Sequence, residues 1–186
     1  LEAHGYILSR VYFQMHIKLE RPPQLPVCPE GISMRVCNGS EEDIRQIYAT
    51  IEESFQDHWA HTPVSFEEWR RFMVREEFDP TLWFLAQDNK EIAGAALCRV
   101  REPGSGWITQ VAVRRPWRKR GLGAALLQQA FSIFYQRGIT RVGLGVDAQS
   151  LTGAQRLYER VGMHVTMRIG RYEKELRPGK DLQEEH

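Results

Sequence analysis

The sequence predicts a mixed α/β (α+β) domain over residues 31–176, with one extra strand ahead of it. Three observations support this. Apolar residues alternate with polar ones in seven short segments, the period of half-buried strands. Four other segments switch to helical spacing of apolar residues. Glycine, proline and Asx residues fall at the junctions, where chain reversals need them.

The elements follow in order. In residues 10–20, Val11, Phe13, Met15, Ile17 and Leu19 share one face, and Tyr12, Gln14, His16, Lys18 and Glu20 share the other. A proline-rich linker fills 21–30. Ile32, Met34 and Val36 alternate as a strand. Ser40, three residues before Asp43, starts a helix carrying Ile44, Ile47, Tyr48, Ile51 and Phe55. Ser65 with Glu68 starts a shorter helix with Phe66, Trp69 and Phe72. Strands are predicted over 82–86 and 92–100, with Asp88 and Asn89 as the turn, and over 107–113. The period then becomes helical at Leu122, Leu126, Ala130 and Ile133, and Arg137-Gly138 closes that helix. Val142, Leu144 and Val146 form a strand; Ala154, Leu157, Tyr158 and Val161 form a helix closed by Gly162. Met163, Val165, Met167 and Ile169 alternate as the last strand.

A faint repeat links the two ends. Glu2 matches Glu159, Gly5 matches Gly162 and Leu19 matches Leu176, all at one constant offset. The matched pieces read alike: helix end, glycine, strand. Residues 1–20 then read as the last piece of a preceding copy of the domain.

Composition narrows the function. Hydrophobic content of 42% and charged content of 26% are those of an ordinary globular chain, and a net charge of +1 argues against a general nucleic-acid binder. No apolar run approaches the roughly 20 residues of a membrane span, and no secretory leader is evident. Cys28, Cys37 and Cys98 lack metal-like spacing and read as free thiols of a cytoplasmic protein.

The chemistry concentrates in Val111-Ala112-Val113-Arg114-Arg115-Pro116-Trp117-Arg118-Lys119-Arg120-Gly121-Leu122-Gly123-Ala124. A strand ends, a basic loop follows, and a helix begins near Gly121. Helix N-termini present unpaired N–H groups and partial positive charge, so they bind phosphate. Gly121 and Gly123 let an anion approach the backbone. The run lacks the Gly-Lys-Ser/Thr of a Walker loop and the third glycine of a dinucleotide fingerprint. A solvated basic surface and a nucleic-acid contact are the rival readings of the same charges.

Arg118, Gly121 and Gly123 fill the positions of an Arg/Gln-x-x-Gly-x-Gly/Ala signature, and Leu157-Tyr158 with Gly162 matches a Leu-Tyr-x-x-x-Gly ending downstream. Together the two motifs resemble those of GCN5-related N-acetyltransferases, over roughly 31–176. The end repeat is similar to tandem acetyltransferases of the mycothiol synthase type.

The resemblance implies a mostly antiparallel central sheet with splayed middle strands and flanking helices. It also implies acetyl transfer from acetyl-CoA to a primary amine, without a metal. Backbone groups of Val111, Ala112 and Val113 would meet the pantetheine and acyl carbonyl. Those of Arg118, Lys119, Arg120, Gly121, Leu122, Gly123 and Ala124 would hold the pyrophosphate. Ser150 stands where the family often has a cofactor-contacting Asn; it would either donate to the cofactor or cap the next helix. Tyr158 takes the position of the general acid, although its place on the apolar stripe equally suits a core tyrosine. The family's strand carboxylate is missing from 107–113. Asp147 and Glu102 are the candidates to take the amine's proton through water; each also reads as a solvated carboxylate. The acceptor loop would present Asp57, His58 and Trp59, with Asp57 for an ammonium and Trp59 for a cation–π face. Asp57, His58 and His61 together are too closely spaced, without further ligands, to argue for a metal. The expected partners are acetyl-CoA, a small amine, and a preceding copy of the domain or a second subunit. Nucleic acid and membrane are not expected. A catalytically weak acyl-CoA-binding or regulatory module is the alternative function.

Overall fold

A computed structural model describes residues 1–56, 61–76, 78–102, 104–150 and 153–176. Seven strands form one sheet: β1 (Ile7–Lys18), β2 (Ile32–Val36), β3 (Trp83–Asp88), β4 (Glu91–Glu102), β5 (Ser105–Val113), β6 (Arg141–Asp147) and β7 (His164–Glu173). Four helices accompany it: α1 (Glu41–Phe55), α2 (Phe66–Met73), α3 (Leu122–Gln136) and α4 (Ala154–Arg160). The strand order is β2-β3-β4-β5-β6-β1-β7, and every pairing is antiparallel except β5 with β6. The expected mixed, mostly antiparallel sheet with flanking helices is therefore present.

Local chemistry accounts for the element boundaries. Ser40 and Ser65 accept hydrogen bonds from the Asp43 and Glu68 backbone N–H groups, capping α1 and α2 as expected. Gly138, with φ 74°, follows the end of α3. Consecutive residues Ala95, Ala96, Leu97 and Cys98 of β4 are all buried, which requires cover on both faces of the sheet. α1 and α3 both pack on β4 and β5 and supply that cover. The small residues of β4 and β5 set how close α3 comes. A Cβ at Gly94 would lie 3.3 Å from Leu126, and one at Gly106 would lie 2.7 Å from the Phe134 ring.

Three expectations change. The β3–β4 turn is Asn89-Lys90, because Asp88 still pairs with Glu91 and its carboxylate accepts from the Trp117 indole at 2.8 Å. Asn89 takes the left-handed φ of 53° that such a tight turn needs. The last strand starts at His164, and its apolar positions Val165, Met167 and Ile169 are exposed instead of buried. The strand read over 10–20 runs instead from Ile7 to Lys18, and it lies inside the sheet between β6 and β7.

Candidate active site

β5 and β6 pair only over residues 105–108 and 141–144. Beyond that point β5 stays with β4, while β6 goes on with β1, where Gly145, Val146 and Asp147 face Gln14, Phe13 and Tyr12. The two central strands therefore diverge, and their facing edges open a cavity of about 360 Å³. The divergence has a local cause. Leu97 and Cys98 of β4 oppose Gln110 and Ile108, leaving Thr109 as an extra residue on β5. Such a bulge bends its strand, and here it sits where pairing with β6 stops. Ile108, Thr109, Gln110 and Val111 then all line the cavity, which a regular two-residue alternation would not allow.

At the far end of β5 the chain makes a short 3-10 turn, Arg115–Trp117, then reaches α3 through Lys119 at φ 61° and Gly121 at φ 90°. No side chain caps α3, in contrast to α1 and α2, and its first turn holds no acidic residue. Among the described residues, nothing lies within 4 Å of a Cβ placed on Gly121. A phosphate group fits this end, because the first N–H groups of a helix lack intrahelical acceptors and the helix dipole favours an anion.

Two of the loop's arginines are engaged inward. Arg118 donates to the Val113 carbonyl at 3.0 Å and the Ser54 carbonyl at 3.1 Å. Arg114 pairs with Glu53 at 2.6 Å and lies over the Trp117 ring. Gly123 has a packing role as well: a Cβ there would lie 2.9 Å from Leu157, so glycine lets α3 approach α4. Gly121→Ala is expected to cost about 1–2 kcal/mol in stability by forcing an L side chain into the left-handed region. Chemical denaturation measures that loss.

α4 brings Tyr158 to the cavity wall, with Asp147 and Ser150 in the same lining. Burial pushes the Tyr158 phenol up to about 12, because the phenolate would lose its hydration. Asp147 is the one carboxylate among the described lining residues. Arg10 of β1 holds it with contacts of 2.9 and 2.8 Å, and the Gln149 N–H donates to its other oxygen at 2.8 Å. α4 is capped at Gly153, so Ser150 is not its N-cap. Val111 lines the cavity, Ala112 is buried behind it, and Val113 is half-buried. Asp57, His58 and Trp59 lie outside the described residues; next to them, Phe55 at the end of α1 lines the cavity and His61 pairs with Glu52 at 3.3 Å.

Sequence reasoning missed several lining residues. Tyr12, Phe13 and Gln14 arrive on β1, from the opposite end of the chain. Gln110 presents a buried Oε1 with no hydrogen-bond partner among the described residues. A buried carbonyl oxygen without a donor is costly, and this one sits on the strand where the family's carboxylate was sought. A polar residue at an otherwise apolar strand position was the available signal for Gln110. No local signal placed β1 beside β6.

The description "Acetyltransferase (GNAT) family" fits residues 42–163, the span matched by that family's sequence model. The mycothiol acetyltransferase of Thermobispora bispora is 28% identical over 164 residues, covering 85% of this chain and 55% of the relative. That of Salinispora arenicola is 32% identical over 164 residues, covering 85% and 53%. A solved GCN5-related N-acetyltransferase from Sphaerobacter thermophilus superposes with a TM-score of 0.86 at 44% identity, covering 98% of this chain and 56% of that one. The chain thus spans about half the length of these relatives.

Proposed function

Because the chain belongs to the acetyltransferase (GNAT) family, we propose that it transfers the acetyl group of acetyl-CoA to a primary amine bound in the β5–β6 cleft. The observation that carries this reading is one strand, β5, whose edge is opened toward β6 and whose end leads into the uncapped N-terminus of α3. A pantetheine arm suits the first and a pyrophosphate the second. The relatives named as mycothiol acetyltransferases support acetyl transfer as the reaction.

Acetyl-CoA would supply an activated acetyl thioester. Backbone N–H groups of Lys119, Arg120, Gly121, Leu122 and Gly123 hold its pyrophosphate, those of Arg118 and Ala124 being taken by the Arg115 and Gly121 carbonyls, and the free edge of Val111, Ala112 and Val113 holds the pantetheine and polarises the acyl carbonyl. Donors fixed at that oxygen stabilise the charge that develops there. On the same strand, Gln110 Oε1 accepts an N–H of the amine and orients it. Asp147, kept in place by Arg10, takes the proton through water. Tyr158 donates its proton to the departing sulfur, and its raised pKa keeps it protonated for that purpose. Ser150 contacts the donor from the cavity wall. Asp57, His58 and Trp59 contact the acceptor, Asp57 as partner for an ammonium and Trp59 as a cation–π face. The three free cysteines suit a reducing cytoplasm.

Release of CoA with a panel of small amines, alongside calorimetric titration with acetyl-CoA, tests the reading. Expected are a heat of binding without amine and amine-dependent CoA release. Absence of acetyl-CoA binding would refute it.

A further inference from the structure

The two end segments match in conformation as well as sequence. The 3-10 turn Glu2–His4 leads into Gly5 at φ 77° and then β1; the end of α4 leads into Gly162 at φ 92° and then β7. Gly5 and Gly162 are 157 residues apart, and so are the first residues of the two strands, Ile7 and His164.

The pairing of β1 with β7 adds a symmetry. Tyr12 faces Ile169, which is its own counterpart at that offset. On either side, Val11 faces Gly170 and Phe13 faces Arg168, each the counterpart of the other pair's member. A local two-fold axis therefore passes between Tyr12 and Ile169 and exchanges the two strands. This symmetry governs what lies beyond them. β1 is paired on both edges, with β7 and with β6. β7 is paired on one edge only and ends the sheet. Its Val165, Met167 and Ile169 side chains are 37%, 53% and 41% exposed. A ten-residue edge strand with an alternating apolar row is what proteins ordinarily cover.

We propose that the outer edge of β7 pairs with the β6-equivalent strand of a preceding copy of this fold on the same polypeptide, in a reciprocal exchange of last strands. β1 is that copy's last strand, donated to this sheet; β7 is donated in return. The axis fixes the register. Ile169, Gly170 and Arg171 take, toward the other copy, the positions that Tyr12, Phe13 and Gln14 take opposite Asp147, Val146 and Gly145. A second molecule of this chain does not fit there, because its own β1 already occupies that edge of its β6. The Sphaerobacter relative has room for such a copy: 98% of this chain matches 56% of that one, leaving a remainder nearly as long as the matched part.

The exchange reaches the active site. Tyr12, Phe13 and Gln14 line the cleft described above, so part of its wall, next to β6, comes from the preceding copy. By the same axis, Arg171 enters the equivalent cleft of that copy. The inference concerns strand pairing and stands or falls apart from acetyl transfer.

The test is made in the full-length polypeptide. A cysteine at Ile169 and another at the preceding copy's counterpart of Asp147 would face each other within the Cα separation that a disulfide spans. Expected on mild oxidation is a bond within one chain, seen as a mobility shift on non-reducing gels without doubling of mass. No bond, or a bond only between chains, overturns the proposal. Amide exchange in the unsubstituted polypeptide provides a measurement free of folding defects. Residues 164–173 should exchange as slowly as 7–18. Fast exchange at every second amide of 164–173, the signature of an open strand edge, overturns it equally.

Discussion

Replacing Tyr158 by Phe is expected to lower turnover about a hundredfold or more, the lower end of what a general acid contributes, with acetyl-CoA affinity unchanged. The substitution keeps the ring that packs against the core and removes only the hydroxyl, so stability should hardly move. The pH profile provides a second test. A phenol raised to about 12 remains protonated through neutral and moderately alkaline pH, so the wild-type rate should show no alkaline fall from Tyr158 below about pH 10. The deficit of Tyr158→Phe should be constant over that range. Equal turnover in the two proteins would make Tyr158 a packing residue and take it out of the mechanism.

Asp43→Ala is expected to have the largest effect on stability, a loss of about 2–4 kcal/mol. Asp43 is 4% exposed and its carboxylate accepts from both Arg35 terminal nitrogens, at 2.7 and 2.6 Å, and from the Asn38 N–H at 2.9 Å. It joins β2 to the first turn of α1. Removing one partner of a buried pair costs roughly 3–5 kcal/mol; Arg35, 35% exposed, recovers part of this by hydration. In a chain of this size that is roughly 5–15 °C in Tm. The Arg35 hydrogen bonds hold the Asp43 carboxyl below its usual range. The folded state thus binds this proton less readily than the unfolded state. The stabilisation is complete above the unfolded value of about 3.9 and is lost as pH falls through the folded one. Melting curves of the two proteins should converge below about pH 4; a gap that stays constant would assign the effect to packing.

Much of this was legible in the sequence, for definite reasons. Strand and helix periods survive in the fold because one face of nearly every element is buried, as with Ile44, Ile47 and Ile51 of α1. The Arg118–Gly123 signature was legible because a glycine-marked helix start is a local feature. What escaped is non-local. Arg10 meets Asp147 across 137 residues, and no period announces such a partner. The apolar alternation of β7 was read correctly, yet its exposure depends on what lies beside the strand. Ser150 as a cap failed because Gly153, three residues later, supplies the left-handed turn at which α4 begins.

The bulge at Thr109 has a consequence for how the cleft can change in evolution. One extra residue in a strand exchanges the inward and outward faces of everything on one side of it. Upstream, Gly106 must lie under the Phe134 ring; downstream, Ala112 must stay buried opposite Ala95. Deleting Thr109 would restore a regular pleat only by turning one of these anchors outward. Point substitution can reshape the cleft walls, but closing the cleft would require a deletion and a compensating insertion in the same strand. Its opening is set by the parity of the residue count, which gradual change of side chains does not alter.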